Sequence, residues 1–191
     1  MRNVDFEIQP LLQKIFTEEF AKKTAGSKIK DPLVYMLQLQ HELHIDSINP
    51  RLTLVFLKQQ GMDLFGQLNV KGWNGGKEWL SSQVYLQRGN AADLLCNGKS
   101  LSRNNQMEND EMTPKKVGNR HAVSVDFDAT GTNKTIISEL QNRLLFQTDA
   151  EMQTDFETLL KYDFNPTNEG AENAVLRLFN AMVKLPEFQL I

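Results

Sequence analysis

The stretch that decides the fold class is AENAVLRLFNAMVKLP, residues 171–186. Its apolar side chains recur at intervals of three or four residues, which is the spacing of one face of an α-helix. Pro186 ends the pattern, because a proline cannot continue a helix. The stretch therefore predicts an amphipathic helix whose apolar face is covered by other helices. The positions on that face are Ala171, Ala174, Val175, Leu178, Met182 and Leu185.

Other stretches of the chain show the same spacing, and they cover residues 8–20, 32–43, 50–60, 78–95, 133–145 and 149–160. Helix start signals accompany three of them. An Asp-Pro pair stands at residues 31–32, an Asn-Pro pair at 49–50, and a Thr-Asp-Ala-Glu capping box at 148–151. We therefore predict an all-α fold, a compact and irregular helical domain of six or seven helices that spans residues 1–191.

Two segments depart from the helical periodicity. Residues 97–121 carry few large apolar side chains and mixed charge, so we expect one long polar loop or insertion there. In residues 122–127, Val123, Val125 and Phe127 share one face with a period of two. This alternation predicts at most a short β element beside the helices.

The composition excludes several classes of protein. Hydrophobic residues make up 40% of the 191 residues and charged residues 24%, which is typical of a soluble globular protein. A net charge of −3 argues against a nucleic-acid partner, because nucleic-acid-binding domains carry a basic excess. No apolar run approaches the roughly 18 residues of a membrane span. The single cysteine, Cys96, excludes an internal disulfide and a multi-cysteine zinc site.

The segment MDLFGQLNVKGWNGGKEWLSS, residues 62–82, contains both tryptophans of the chain and is called the Gly-Trp segment below. Two interpretations are open. The tryptophans could form an aromatic platform that binds sugar rings or peptides, with glycines that let a ligand approach the backbone. Alternatively, both indoles fold back and fill the core, as large aromatic side chains usually do. The candidate ligand-binding residues are Gln67, Gly72, Trp73, Asn74, Gly75, Gly76, Glu78 and Trp79.

Two other motifs resemble chemical sites without completing them. His41 and His44 are three residues apart, whereas the helical zinc motif of metalloproteases needs histidines four apart. Asp126, Asp128 and Thr130 alternate as in a haloacid dehalogenase nucleophile motif or a calcium loop, but no βαβ pattern follows them. A polar turn before a helix cap explains them better. We predict no catalytic residue, no metal ligand and no cofactor in this chain.

The Gly-Trp segment resembles a bacterial family known as domain of unknown function 1800. The family pattern is a Gly-Gln pair followed by Val-x-Gly-Trp-x-Gly-Gly-x-x-Trp. This chain has the pair at residues 66–67 and the rest as VKGWNGGKEW at residues 70–79. Two features depart from the pattern: the prolines usual before Val70 are missing, and Asn74 stands where proline is common.

Three further landmarks resemble the family, in the family's order. TEEF at residues 17–20 resembles the end of a family helix, and KIKDP at residues 28–32 resembles the entry to the next helix. PEFQ at residues 186–189 resembles the family's closing sequence, with Leu185 where serine is usual. Together with the longer motif, these landmarks cover most of the chain except residues 97–121.

The resemblance implies a setting for the chain but no reaction. Members of the family are usually longer, and these landmarks lie in their C-terminal part, so the chain is expected to be the C-terminal part of a larger protein or an unusually short member. Members commonly begin with an export signal, which implies a periplasmic or cell-surface location, although no signal peptide is visible here. The resemblance implies no activity, substrate or cofactor.

Two hypotheses of function follow. The first is a non-catalytic binding or assembly domain whose contact surface is the Gly-Trp segment and whose partner is a protein or a carbohydrate. The second is part of an enzyme module whose site is shared with residues upstream, with Gln67, Asn74 and Glu78 as the polar residues around Trp73 and Trp79. A cleft with convergent carboxylates beside the indoles would favour the enzyme. If both indoles are fully buried and no cleft lies beside them, the Gly-Trp segment has a structural role only.

Overall fold

The computed structural model describes residues 7–21, 26–45, 50–67, 69–98, 123–161 and 164–191, with the backbone only for residues 19–21. Within these residues the protein is all-α, as predicted, and no strand forms. Two short 3₁₀ helices, Gly76–Leu80 and Pro186–Gln189, accompany the α-helices. The described residues form seven α-helices, which are α1 (Ile8–Ala21), α2 (Pro32–Glu42), α3 (Pro50–Gln59), α4 (Ser82–Cys96), α5 (Asn133–Leu144), α6 (Ala150–Leu160) and α7 (Ala171–Met182).

The start signals set the helix boundaries. The Asp31 carboxylate accepts a hydrogen bond from the Val34 amide at 2.8 Å and so caps α2, while the proline of the pair occupies the first helical position. At α6 the cap is Asp149, whose carboxylate accepts from the Met152 amide at 2.8 Å. The capping-box pattern at residues 148–151 would place the cap one residue earlier, and that part of the prediction is wrong. The asparagine of the pair at 49–50 lies outside the described residues.

Helices α4, α5, α6 and α7 pack together around the largest part of the core, with α7 in contact with the other three. The face of α7 predicted from the sequence is confirmed up to Met182, since Val175, Leu178 and Met182 have no exposed surface. Leu185 lies beyond the end of the helix and is half-buried. Helices α2 and α3 add Tyr35, Leu39 and other residues to the same hydrophobic cluster. The core therefore draws on residues from both ends of the described chain.

Some apolar positions are not buried as expected. Helix α2 carries apolar residues on more than one face, which is typical of a central helix, yet its Val34 and Leu37 are exposed. Its Tyr35, Met36 and Leu39 lie on the buried side, and the helical period turns their neighbours to solvent. Helix α1 forms as predicted, but its apolar residue Phe16 is 68% exposed.

The alternating residues near position 125 form no strand. Val125 is buried, while Val123 and Phe127 are half-buried against the core, and the Ser124 amide donates to the carbonyl of Leu43 at 3.3 Å. Every second side chain of this segment is turned toward the core, but the segment pairs with no strand among the described residues. The expected β element is not found there. An isolated antiparallel bridge pairs two residues elsewhere, Ile29 and Leu190.

The long polar loop expected at residues 97–121 lies outside the described residues from residue 99 onward. No α-helix among the described residues is both long and apolar enough to cross a membrane. The expectation of a single domain over residues 1–191 stays a prediction.

Candidate functional site

The end of α3 places a glutamine in the protein interior. Gly61 has a φ of +85°, and the Met62 amide donates to the carbonyl of Leu57 at 2.8 Å. The Gly61 amide donates to the carbonyl of Lys58 at 3.1 Å. These two bonds around a left-handed glycine form a Schellman motif, which ends the helix. The residue before the glycine, Gln60, has no exposed surface.

Tight turns return the chain to the core after this helix. The Asn69 side chain accepts a hydrogen bond from the Lys71 amide at 2.9 Å, and its carbonyl accepts from the Gly72 amide at 3.2 Å. Gly72 has a φ of +81°, a conformation that a side chain would strain. The turn places Trp73, the next residue, against the hydrophobic core.

The 3₁₀ helix Gly76–Leu80 carries the second tryptophan, Trp79, which also packs against the core. The Ser81 hydroxyl follows it and caps α4 by accepting from the Val84 amide at 3.4 Å. Trp73 and Trp79 are both half-buried. The indoles therefore contribute to the core and also border open space.

A pocket of about 210 Å³ opens beside the two indoles and is called the Gly-Trp pocket. Five of the candidate residues line it, namely Gly72, Trp73, Asn74, Glu78 and Trp79. The other three candidates, Gln67, Gly75 and Gly76, are exposed and are not among its lining residues. The described lining consists of Gln60, Gly61, Asp63, Gly66, Asn69, Gly72, Trp73, Asn74, Glu78, Trp79 and Val84.

Two polar groups of this lining are buried without a hydrogen-bond partner. Both the nitrogen and the oxygen of the Gln60 carboxamide lack one, and so does the indole nitrogen of Trp73. Buried polar groups are nearly always paired, and each unpaired group destabilises a fold by about 1–3 kcal/mol. Sequence reasoning missed Gln60, because the only available signal was its position before the helix-ending Gly61.

The charged groups of the pocket are acidic. The Asp63 carboxylate forms an ion pair with the Lys58 ammonium at 2.9 Å, and Glu78 is exposed. The lack of a side chain at Gly66 leaves room for the Asp63 carboxylate, since a Cβ at Gly66 would lie 2.8 Å from an Asp63 oxygen. No lysine, arginine, histidine, serine or cysteine is among the described lining residues. The pocket thus favours neutral or cationic groups over anions.

The family is settled by comparison with known sequences. The model of the family described as "Protein of unknown function (DUF1800)" matches residues 1–190. The chain belongs to this family. No curated protein and no solved structure matches it.

Two DUF1800 landmarks, residues 28–32 and 186–189, meet around Arg88 of α4. The Arg88 guanidinium donates to the Gln189 side-chain oxygen at 2.9 Å and to the Lys30 carbonyl at 2.8 Å. It lies 4.9 Å from the centroid of the Tyr35 ring. Burial, and then the nearby charge of Arg88, lowers the pKa of Lys30 to about 8. Arg88 thus connects both landmarks to α4, and the sequence analysis did not identify it.

The remaining motifs of the DUF1800 chain are explained by local structure. The Asp128 carboxylate accepts from the Thr130 amide at 2.8 Å and from the Thr130 hydroxyl at 2.6 Å, as expected for a polar turn. Asp126 contacts His44 at 2.8 Å. Within the described part of the chain, no group of three or more acidic, histidine or cysteine side chains is arranged to hold a metal ion.

A larger cavity of about 640 Å³ lies between α4 and α7, next to Cys96 and Asn180. Its walls include Gly98 and Val123, and the intervening residues 99–122 are outside the described part of the chain. The Gly-Trp pocket is the candidate site, because five of the residues predicted from the sequence line it.

Proposed function

We propose that this DUF1800 domain is a non-catalytic binding or assembly domain and that the Gly-Trp pocket is its contact site. The observation that carries the proposal is the set of buried, unpartnered polar groups on Gln60 and Trp73 beside an open pocket. Such groups destabilise the free protein, and a ligand that hydrogen-bonds to them would compensate for that loss. The lining residues also fit a partner of either kind expected from the sequence, a protein or a carbohydrate.

The chemistry of the pocket supports binding more than catalysis. The described lining offers no hydroxyl, thiol or imidazole group that could act as a nucleophile or a general base. Two carboxylates, those of Asp63 and Glu78, keep the enzyme module as a second candidate function. Asp63 is, however, engaged in an ion pair with Lys58.

Tryptophan fluorescence tests the proposal directly, because both tryptophans of the chain line the pocket. We suggest titrating the purified protein with neutral oligosaccharides and with neutral, end-capped tripeptides while following the emission spectrum. Mass spectrometry of the same mixtures reports whether a ligand is consumed. The expected result is a saturable change in emission with every ligand molecule intact.

A variant pair separates the pocket from the rest of the surface. Trp79→Ala removes a wall of the pocket and is expected to abolish the saturable change, whereas Leu86→Ala alters an exposed residue of α4 that does not line it. Emission that no ligand changes would contradict the binding role. Conversion of a bound ligand to product would favour the enzyme module instead.

We also propose that the protein acts outside the cytoplasm, as the resemblance to exported family members implies. Fractionation of cells that produce the full gene product tests this. Recovery in the periplasm or at the cell surface is expected, and recovery in the cytoplasm alone would contradict it.

A further inference from the structure

We infer that the ligand of the Gly-Trp pocket is a single neutral sugar residue, held by the Gln60 carboxamide and the Trp73 indole nitrogen. The inference rests on the proposed binding function and adds the class of ligand. It depends on four properties of the pocket: the polar groups without partners, the size, the aromatic surfaces and the sign of the charge.

The unpartnered groups match the hydrogen bonding of a sugar. A carboxamide offers a donor and an acceptor side by side, and both atoms of Gln60 lack partners. Of two adjacent hydroxyls on a sugar ring, one can accept a hydrogen bond from the carboxamide nitrogen and the other can donate one to the carboxamide oxygen. The Trp73 indole nitrogen adds a donor only, which a hydroxyl or ring oxygen can accept.

The size of the pocket limits the ligand to one ring. Its volume of about 210 Å³ lies below the roughly 300–1,000 Å³ of pockets that enclose drug-sized molecules. A folded peptide segment or an extended oligosaccharide does not fit inside. A single terminal sugar residue fits, with the rest of a longer chain outside.

The walls and the charge complete the argument. Trp73, Trp79 and Val84 supply apolar surface on which the C–H face of a sugar ring can lie. The carboxylates of Asp63 and Glu78 can accept hydroxyl hydrogens, and they repel an anionic ligand. A neutral sugar is therefore favoured over a uronic acid or a sulfated sugar of the same shape.

The test is a titration of the full chain with small probes, followed by tryptophan fluorescence. The probes are methyl β-glucoside, methyl β-galactoside and methyl N-acetyl-β-glucosaminide, with methyl β-glucuronide as the anionic counterpart. Neutral end-capped tripeptides form the comparison series. We expect saturable binding of at least one neutral glycoside and at least tenfold weaker binding of the glucuronide.

Three variants locate the interaction. Gln60→Leu removes the carboxamide at similar volume, and we expect at least tenfold weaker glycoside binding with an unchanged or higher melting temperature. Trp73→Phe keeps the ring without its N–H and is expected to weaken binding several-fold. Gln83→Leu is the control, because it makes the same glutamine-to-leucine change at an exposed residue of α4 that does not line the pocket. This variant should bind the glycoside as the wild type does.

The outcomes distinguish this inference from the proposed function. Binding of tripeptides without glycosides would overturn the inference and leave the binding function standing. Equal binding of glycosides by wild type and Gln60→Leu, with the variant folded, would overturn the role of the carboxamide. Binding of the glucuronide as tight as that of the glucoside would overturn the charge argument. No response to any probe would contradict both.

Discussion

The Lys30 ammonium lies 3.9 Å from the centroid of the Phe188 ring and donates a hydrogen bond to the Phe188 carbonyl at 2.5 Å, across 158 positions of sequence. Arg88 lies beside this pair and reaches the same two segments through Gln189 and the Lys30 carbonyl. The two DUF1800 landmarks are therefore joined by cations, a ring and carbonyl oxygens. The contact fixes the last described residues to the entry of α2.

Arg88→Met tests how much this joint stabilises the fold. The substitution leaves the Gln189 side-chain oxygen and the Lys30 carbonyl without their donor in a buried site. We expect the free energy of unfolding to fall by about 1–3 kcal/mol, which is typical for unpaired buried acceptors. Urea denaturation measures it. Arg177→Met, at an exposed position of α7, is the control and should change stability by less than about 0.5 kcal/mol. Equal stability of the two variants would contradict the role of Arg88.

Lys30 gives the stability a defined dependence on pH. Its folded-state pKa of about 8 is below the ordinary 10.5, mainly because the amine is buried and also because Arg88 is near. Between these two values the unfolded chain keeps a proton that folded Lys30 has lost, so raising the pH stabilises the folded state. The gain approaches about 1.4 kcal/mol for each pKa unit of the shift.

A comparison with Lys30→Met isolates this effect from other titrating groups. We expect the wild type to gain stability relative to the variant as the pH rises from 7.5 to 9.5, within the window set by the pKa of about 8. Guanidinium denaturation at several pH values measures the difference. A constant difference across the window would show that the amine keeps its ordinary pKa.

The helices could be predicted from the sequence because their signals are local. The buried face of α7 and the cap at Asp31 follow from the spacing of neighbouring residues and from one side chain. Tyr35 and Leu37 show where this reasoning ends, since both lie in an apolar run and only the first is buried. Which side of an apolar helix meets the core is decided by the packing of distant segments.

The candidate site was predictable only in part, for a similar reason. The residue types of the Gly-Trp segment predicted three residues that line the pocket, namely Trp73, Asn74 and Glu78. Gln60 follows directly after α3, and nothing in its sequence neighbourhood distinguishes it from exposed glutamines. Its role depends on burial without a partner, which is a property of the three-dimensional arrangement. The burial of Arg88 could not be predicted from the sequence either, because an arginine at a helical position is usually exposed.

Two glycines are expected to respond in opposite ways to alanine. Gly61 ends α3 with a φ of +85°, and although a Cβ there would meet nothing within 4 Å, the backbone conformation disfavours a side chain. We expect Gly61→Ala to destabilise the protein by about 1–2 kcal/mol. Gly89 lies within α4 with free space around it, so Gly89→Ala should stabilise by about 0.5–1 kcal/mol. Thermal unfolding measures the change in melting temperature of each variant, which should fall for Gly61→Ala and rise for Gly89→Ala. A higher melting temperature of Gly61→Ala would contradict the Schellman motif.

The buried thiol of Cys96 provides a test of packing that does not depend on any ligand. Burial, together with the nearby charge of Asp93, raises the pKa of Cys96 to about 12. The thiolate is the reactive form, so at pH 8 roughly one folded molecule in 10⁴ carries it, compared with about a quarter of unfolded chains. The side chain is also only 5% exposed.

We therefore expect the folded protein to react with Ellman's reagent at pH 8 at least a hundredfold more slowly than the unfolded chain. In 6 M guanidinium one thiol per chain should react at once, which checks the reagent, since the sequence has a single cysteine. A slow reaction that accelerates with mild denaturant would report opening of the α4–α7 packing. A folded-state rate close to that of the unfolded chain would mean that Cys96 is exposed, which contradicts the position of α4 in the core.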